Sequence, residues 1–159
     1  MLKKWLVSIE NVKIHFNGGG NINDVKLPLE EKINAYPNTN MFGNIPAYGM
    51  FMRHASNTNI KNIKMTMSKS EKRFAIFTQD VEKINLNNWE LPFVDTGLAL
   101  ISLESSKDLT ISGFKETGGK SQKFLSVNGN ETKGIKIDKS IIGEIILGEG
   151  VYSEAVKKM

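Results

Sequence analysis

The sequence predicts an all-β fold, a right-handed parallel β-helix of about five coils with one long loop insertion. Three observations predict it: a repeat with a period of about 25 residues, apolar alternation within each repeat, and asparagine or glycine at one fixed position of the repeat. The apolar runs are short and strand-like, without helical stretches between them, which narrows a chain-long repeat to a β-solenoid. The 159 residues suit a single domain, 1–159.

One apolar position recurs in five segments. Its occupants are Ile9, Ile60, Leu86, Ile111 and Ile137, so the last three intervals agree to within one position and the first is twice as long. A second apolar column lies ten positions before the first. Its members are Met50, Ile76, Ile101 and Val127. In a solenoid, equivalent inward positions stack along the axis at the spacing of neighbouring strands, about 4.8 Å.

A bend position follows two positions after the first column. Its occupants are Asn11, Asn62, Asn88, Gly113 and Lys139. A sharp bend without an inserted loop needs a positive φ, which glycine adopts freely and asparagine better than most residues. Lys139 is the exception, and it belongs to the last repeat, where a solenoid usually tapers into a cap.

A β-sandwich with evenly spaced hairpins is the alternative fold. Tight hairpins favour two-residue turns such as Asn-Gly or Asp-Gly between the strands. Only Asn128-Gly129 and Asn17-Gly18, the latter followed by two more glycines, have that form in this sequence, so the pattern favours the β-helix.

The period is broken between residues 17 and 47. Three glycines open this stretch and prolines 28, 37 and 46 interrupt it, so a long loop excursion over 17–47 is predicted, with one strand near Asp24–Leu27. Long loops on a rigid scaffold are where function concentrates. The tail, 153–159, has a capping serine, an early acid and late lysines, and is predicted to cap the last coil with a short helical turn.

Composition excludes several classes of site. The net charge of +4 is spread along the chain, and all but two of the 21 basic residues are lysine. Nucleic-acid sites favour clustered arginine with aromatic residues, so no nucleic-acid partner is predicted. The absence of cysteine excludes disulfides and thiol chemistry, and two histidines exclude a three-histidine metal centre; no metal or cofactor is predicted. No apolar run approaches the about 20 residues of a membrane span, and the run after Met1 is too short for a signal peptide.

Four residues are candidates for ligand binding, and no catalytic residue is predicted. Arg53 and His54 directly follow a predicted strand; the histidine could titrate or bind a sugar hydroxyl, although a pair bonded within the turn is the simpler interpretation. Tyr36 and Phe42 could stack on sugar rings, or could instead anchor the loop to the solenoid wall.

Other polar or glycine-rich features have simpler interpretations. Asp80 lies at a turn without an adjacent acid, and Glu30-Glu31 is predicted to be a solvated acid cluster on the loop. Gly18–Gly20 lacks the spacing and the following helix of a phosphate-binding loop and is interpreted as the exit of a strand.

A family resemblance covers most of the chain. The segment 42–54 followed by Ile60–Ile63 resembles the later coils of the pectin-degrading polygalacturonases, glycoside hydrolase family 28, whose members have the pectin lyase-like β-helix fold. The opening segment 9–14 with its glycines, the run 74–81 and the run 124–127 also resemble the bacterial branch of that family. The resemblance implies a right-handed parallel β-helix, a pectin-like polysaccharide as the candidate partner, and a secreted or periplasmic parent protein.

The catalytic motifs of that family are missing from this chain. The family hydrolyses its substrate with inversion, using aspartates from Asn-Thr-Asp and Asp-Asp motifs supported by Gly-His-Gly and Arg-Ile-Lys. None of these four motifs occurs here. The chain therefore resembles the non-catalytic C-terminal coils of a polygalacturonase-like protein, which scaffold or border a polysaccharide site.

Two other functions remain as alternatives: a stand-alone β-helix for binding or assembly, and a complete small enzyme, for which the sequence offers no acid–base constellation. A solenoid whose first coil is open exposes an unpaired strand edge and apolar interior. We therefore expect end-to-end self-association through that coil, or coverage of the edge by the long loop.

Overall fold

The computed structural model describes residues 6–34, 41 and 43–159, which form a solenoid of parallel strands. The strands are β1 Val7–Phe16, β2 Ala47–Arg53, β3 Ser56–Met67, β4 Phe74–Gln79, β5 Glu82–Pro92, β6 Ile101–Glu104, β7 Lys107–Thr117, β8 Lys123–Asn128, β9 Ile135–Ile137, β10 Glu144–Leu147 and β11 Val156–Lys158. Odd-numbered strands form sheet A, in the order β1-β3-β5-β7-β9-β11, and even-numbered strands form sheet B, in the order β2-β4-β6-β8-β10.

The predicted parallel β-helix is confirmed. Each sequence repeat becomes one coil because each sheet A strand pairs in parallel with the equivalent strand of the next repeat. The solenoid has about four turns, fewer than the five predicted coils. The difference arises at the ends, where β1 has no sheet B strand before it among the described residues and β9, β10 and β11 are short.

The first predicted column is confirmed as one axial stack. Ile9 pairs in register with Ile60, and the register continues through Leu86 and Ile111 to Ile137. From Ile60 onward these side chains are 0–1% exposed, so they form the spine of the core. A parallel stack of identical apolar positions excludes water from the interval between the two sheets.

The second column is correct except at its last position. Met50, Ile76 and Ile101 are in register, but the next partner is Leu125, and Val127 pairs with Leu103 instead. The loop before β8 is shorter than its predecessors and the turn after β8 is longer. The shorter loop shifts β8 relative to the predicted register in sheet B, and the longer turn restores the predicted register by β9 in sheet A.

Each central coil turns three corners with residues in the left-handed region of φ. The predicted corner holds Asn11, Asn62, Asn88 and Gly113 at φ 55–65°, and Lys139 is not left-handed, as its type suggests. Two further corners were not predicted. One holds His54, Asp80, Ser105 and Gly129, and the other holds Asn57, Lys83, Asp108 and Gly134.

The excursion between β1 and β2 differs from the prediction in detail. Because β1 pairs directly with β3, the doubled interval between Ile9 and Ile60 is one enlarged coil. The predicted strand near Asp24–Leu27 is wrong: Ile22–Lys26 is a 3₁₀ turn. The Asn21 side chain accepts from the backbone of Asn23, and Asp24 accepts from the backbone of Asn21, so this reciprocal cap bends the chain.

The tail also differs from the predicted cap over 153–159. A 3₁₀ turn occupies Ser153–Ala155, but the chain then extends as β11, which pairs with β9 in sheet A. The short helical turn is therefore followed by one more strand of the solenoid.

Candidate functional site

Two of the four predicted binding residues lie where β2 ends and the next corner begins. Arg53 is the last residue of β2, and His54 is the corner residue, with a left-handed φ of 50°. The other two candidates, Tyr36 and Phe42, lie outside the described residues. The loop segment 29–31 contacts this end of β2 and contributes the remaining groups.

Arg53 fastens the long loop to the solenoid. Its side chain is only 10% exposed, and its two terminal nitrogens donate to the backbone oxygens of Leu29, at 3.2 Å, and Glu30, at 3.3 Å. The guanidinium also pairs with the Glu31 carboxylate. The planar fork of an arginine suits such multiple acceptors, so this contact gives the loop a defined position.

His54 bridges two carboxylates from different parts of the chain. Its Nδ1 lies 2.6 Å from Oδ2 of Asp80, and its Nε2 lies 2.8 Å from Oε1 of Glu31. The hydrogen bond to Glu31, and then the one to Asp80, raise the pKa of His54, and the bond from His54 lowers the pKa of Glu31. Glu31 is thus part of a bridge between loop and solenoid, where the sequence indicated a solvated acid cluster.

His54 and Asp80 line a shallow cleft at the corner where the sheet B strands end, and Arg53 and Glu31 contact this corner from β2 and from the loop. We call Glu31, Arg53, His54, Gln79, Asp80 and Ser105 the corner site. His54, Asp80 and Ser105 occupy the same left-handed corner in three successive coils, and all three line the cleft. Their regular spacing, one repeat apart, could have predicted this row, whereas Glu31 carries no such signal because it comes from the irregular loop.

Two buried polar atoms of the corner site have no hydrogen-bond partner among the described residues. They are Nε of Arg53 and Oε1 of Gln79, and the two residues are register neighbours on β2 and β4. Buried donors and acceptors are almost always paired in folded proteins, with protein groups, water or a ligand. The two residues thus supply one donor and one acceptor, and a hydroxyl group can both donate and accept.

The described residues offer little for acid–base or metal chemistry. Glycoside hydrolysis needs a general acid whose pKa is raised, whereas the bond from His54 lowers the pKa of Glu31, and the bonds from Arg73, Lys72 and Gly20 outweigh burial and lower the pKa of Glu71. In the same residues no group of three or more acidic or histidine side chains is arranged to hold a metal ion. A helix long and apolar enough to cross a membrane is also not found in the described part of the chain.

A second polar cluster holds the two ends of the loop and is structural. The Glu71 side chain is fully buried and accepts from the backbone of Gly20 as well as from Arg73, which in turn donates to the backbone oxygen of Ile45. Residues near the start and near the end of the excursion are thereby tied to the same ion pair. This cluster fixes the base of the loop.

Comparison with known protein families, with curated proteins and with solved structures found no match for this chain. The resemblance to polygalacturonases therefore stays a prediction. The corner site and the ends of the solenoid are the features of this structure that bear on function.

The bridge at His54 predicts a measurable titration. Replacing Asp80 with asparagine should lower the pKa of His54, because one of its two carboxylate acceptors loses its charge. Since the folded-state pKa is raised, the bridge stabilises the loop contact fully below the ordinary histidine pKa and is lost as pH rises through the raised pKa of His54. Histidine ring signals followed by NMR would show the shift.

The control is the second histidine. His15 lies on sheet A with its ring nitrogens 2.8 Å from Thr66 and 2.9 Å from Ser68, so its ring signals report any general effect of the substitution. A His54 titration that is identical in wild type and Asp80→Asn would contradict the bridge.

Proposed function

We propose that this chain is a non-catalytic β-helix module of a carbohydrate-active protein of the polygalacturonase-like type, whose coils border a polysaccharide site at the corner site. The observation that carries the proposal is the donor on Arg53 and the acceptor on Gln79, which have no partner among the described residues and suit a hydroxyl group. The other groups of the corner site are the carboxylates of Glu31 and Asp80, the imidazole of His54 and the hydroxyl of Ser105.

The arrangement also fits a polymer rather than an isolated sugar. His54, Asp80 and Ser105 repeat their position in successive coils, at the rung spacing of about 4.8 Å. A rigid row of polar side chains along the solenoid axis can contact consecutive units of an extended chain. The loop segment 29–31, held by Arg53, forms the end of that row.

Binding to polygalacturonate, with a neutral polysaccharide for comparison, tests the proposal. Affinity gel electrophoresis should show retardation of the wild-type chain, and Gln79→Met should weaken binding by about tenfold, because about 1.4 kcal/mol accompanies one lost hydrogen bond in a desolvated site. The matched control is Gln122→Met, the same substitution at an exposed loop position. Equal retardation of both variants, or none of the wild type, would refute the corner site as the binding site.

The same protein should not hydrolyse the polymer. None of the catalytic motifs of the family occurs in the sequence, and the pKa values of Glu31 and Glu71 are lowered, which does not suit a general acid. Release of reducing sugar from polygalacturonate above a buffer blank would overturn the non-catalytic role.

A second candidate function is a stand-alone module for assembly. The observation that favours it is β1, a ten-residue strand at the edge of sheet A with no described strand beyond it. Long regular edges are surfaces on which another strand pairs.

A further inference from the structure

The two ends of the solenoid differ in their capacity to accept another strand. At the C-terminal end, β11 has three residues, and Lys158 occupies the inward column that Ile111 and Ile137 fill in the preceding coils. Its Nζ lies 3.4 Å from the backbone oxygen of Ile141. Short edge strands and charges in inward columns are devices that prevent edge-to-edge pairing.

The N-terminal end has neither device. β1 is ten residues long, contains no proline and lies at the end of sheet A. Its inward side chains Val7 and Ile14 are 46% and 40% exposed, whereas their register partners Thr58 and Met65 are 7% and 1% exposed. Among the described residues, nothing covers these inward positions on the side where a further rung would lie.

β1 can pair in the antiparallel direction with a second copy of itself, because the residues on the two sides of its corner match each other. The left-handed residue Asn11 divides the strand into two arms. In the first arm Ile9 faces inward and Glu10 outward, and in the second arm Lys13 faces outward and Ile14 inward, as their register partners on β3 show. An antiparallel copy related by a two-fold axis that passes between Asn11 and Val12 places Glu10 opposite Lys13, and Ile9 opposite Ile14.

The two-fold axis produces each of these two pairs twice in the dimer. Directly opposite residues of an antiparallel pair share a face, so the salt bridges would lie outside and the isoleucines would extend the core. Lys13 has a like-charged register neighbour, Lys64, on β3, and no ion pair to a described residue. Glu10 pairs with Lys61 on β3 at 3.2 Å, so in the dimer its carboxylate would lie between Lys61 of its own chain and Lys13 of the second copy.

We propose that β1 pairs antiparallel with β1 of a second copy of this chain, forming a closed dimer in which two solenoids meet at their N-terminal ends. This inference rests on the second candidate function, the assembly module. A parallel head-to-tail stack would place Lys158 of one copy in the column of Ile9 of the next and would grow without closing.

Charge exchange tests the pairing. Light scattering after size-exclusion chromatography should give twice the mass of the chain for the wild type. It should give the mass of one chain for Glu10→Lys alone and for Lys13→Glu alone, because each substitution places like charges opposite each other. Mixing these two variants should restore a dimer containing one copy of each, and the double exchange E10K/K13E should restore the homodimer. The mixed dimer also shows that each variant is folded.

The matched control is Lys115→Glu, which reverses a charge in the same outward column as Lys13 but three strands from the edge. It should remain dimeric. A monomeric wild type, an assembly that grows with concentration, or a dimer that persists in both single variants would overturn the proposal. Polysaccharide retardation of the same samples is read separately, because the charge exchanges at positions 10 and 13 change no residue of the corner site, so failure of the dimer leaves the polysaccharide proposal standing.

Discussion

Replacing Glu71 with alanine should lower the free energy of unfolding by about 3–5 kcal/mol, because it leaves a largely buried arginine without its counter-charge. The Glu71 side chain is 0% exposed and that of Arg73 is 18% exposed. The carboxylate accepts from Nε of Arg73 at 2.8 Å and from Nη2 at 2.9 Å, and also from the backbone nitrogens of Gly20, Lys72 and Arg73 itself. The substitution removes acceptors from all of these donors at once.

The matched control is an ion pair on the surface. Glu90 pairs with Lys64 at 2.6 Å, but both side chains are substantially exposed, so Glu90→Ala should cost at most about 1 kcal/mol. The joint replacement of Glu71 by leucine and Arg73 by methionine should cost less than Glu71→Ala, because no buried charge is left unpaired. Urea unfolding followed by circular dichroism measures all three. Equal midpoints for Glu71→Ala and Glu90→Ala would contradict the buried pair.

Acid should act on the same cluster. Burial alone would raise the pKa of Glu71, but the hydrogen bonds from Arg73, Lys72 and Gly20 outweigh it, and the pKa is lowered. A carboxyl group whose pKa is lowered in the folded state stabilises the protein fully at a pH above its unfolded-state pKa. This contribution is lost as the pH falls through the folded-state pKa. The difference in stability between wild type and Glu71→Ala should therefore shrink in acid.

Gly20 shows why this cluster could not be predicted from the sequence. The glycine triplet indicated a strand exit, and β1 does end just before it, at Phe16. The reason for glycine at position 20 is tertiary: a Cβ there would lie 2.0 Å from both Nε of Arg73 and Oε1 of Glu71. Those two side chains come from the loop between β3 and β4, one enlarged coil further along the chain, and no local pattern connects them with Gly20.

The solenoid itself could be predicted because its contacts repeat. Each inward residue packs against its equivalent one coil away, so the sequence period and the spatial period are the same, as in the column from Ile9 to Ile137. The asparagine corner was predictable because residue type follows backbone conformation there. At the other two corners most residues, such as Asp80 and Asn57, are also of types that tolerate a left-handed φ. Only Lys83 and Ser105 do not favour it, and there tertiary structure overrides local preference.

The corner site could be predicted only in part. Arg53 and His54 were identifiable because they directly follow a regular strand, and Asp80 follows His54 by one repeat. Glu31 and the unpaired atoms of Arg53 and Gln79 depend on how the irregular loop lies against β2. The wrong prediction that Val127 pairs with Ile101 has a similar origin. The loop before β8 is shorter and the turn after it is longer, so the overall repeat length does not reveal the shift of β8.

Replacing Trp89 with alanine should lower the free energy of unfolding by about 3–5 kcal/mol, the second large loss of stability. The substitution removes the largest side chain that is fully buried in the described core and leaves a cavity. Trp89 stands in the inward column between Ile63 and Phe114, and its ring stacks on that of Phe114 with centroids 5.8 Å apart and an interplanar angle of 6°. Its Nε1 donates to the backbone oxygen of Ile60 at 3.3 Å. Because the interior is close-packed, the vacated volume cannot be filled without moving a strand.

Two further variants separate ring packing from the hydrogen bond. Trp89→Phe keeps an aromatic ring against Phe114 and loses the Nε1 donor, a loss of about 0.5–1.5 kcal/mol for the bond itself. Phe114→Ala removes the other ring of the stack at a position that is only half-buried, so it should cost less than Trp89→Ala. Urea midpoints in the order Trp89→Phe, Phe114→Ala, Trp89→Ala, from most to least stable, would support the stack.

The Trp89→Ala substitution should also change the form of the unfolding transition. In a solenoid each coil is stabilised mainly by its two neighbours, so weakening one interface can uncouple the coils on either side of it. Trp89 lies on β5, at the centre of sheet A, and its loss weakens the interfaces with both β3 and β7. We therefore expect a lower denaturant slope or two separate transitions in Trp89→Ala, and one transition in Phe114→Ala. A Trp89→Ala variant that unfolds in one step near the wild-type midpoint would show that the stacked column does not determine the stability of this β-helix.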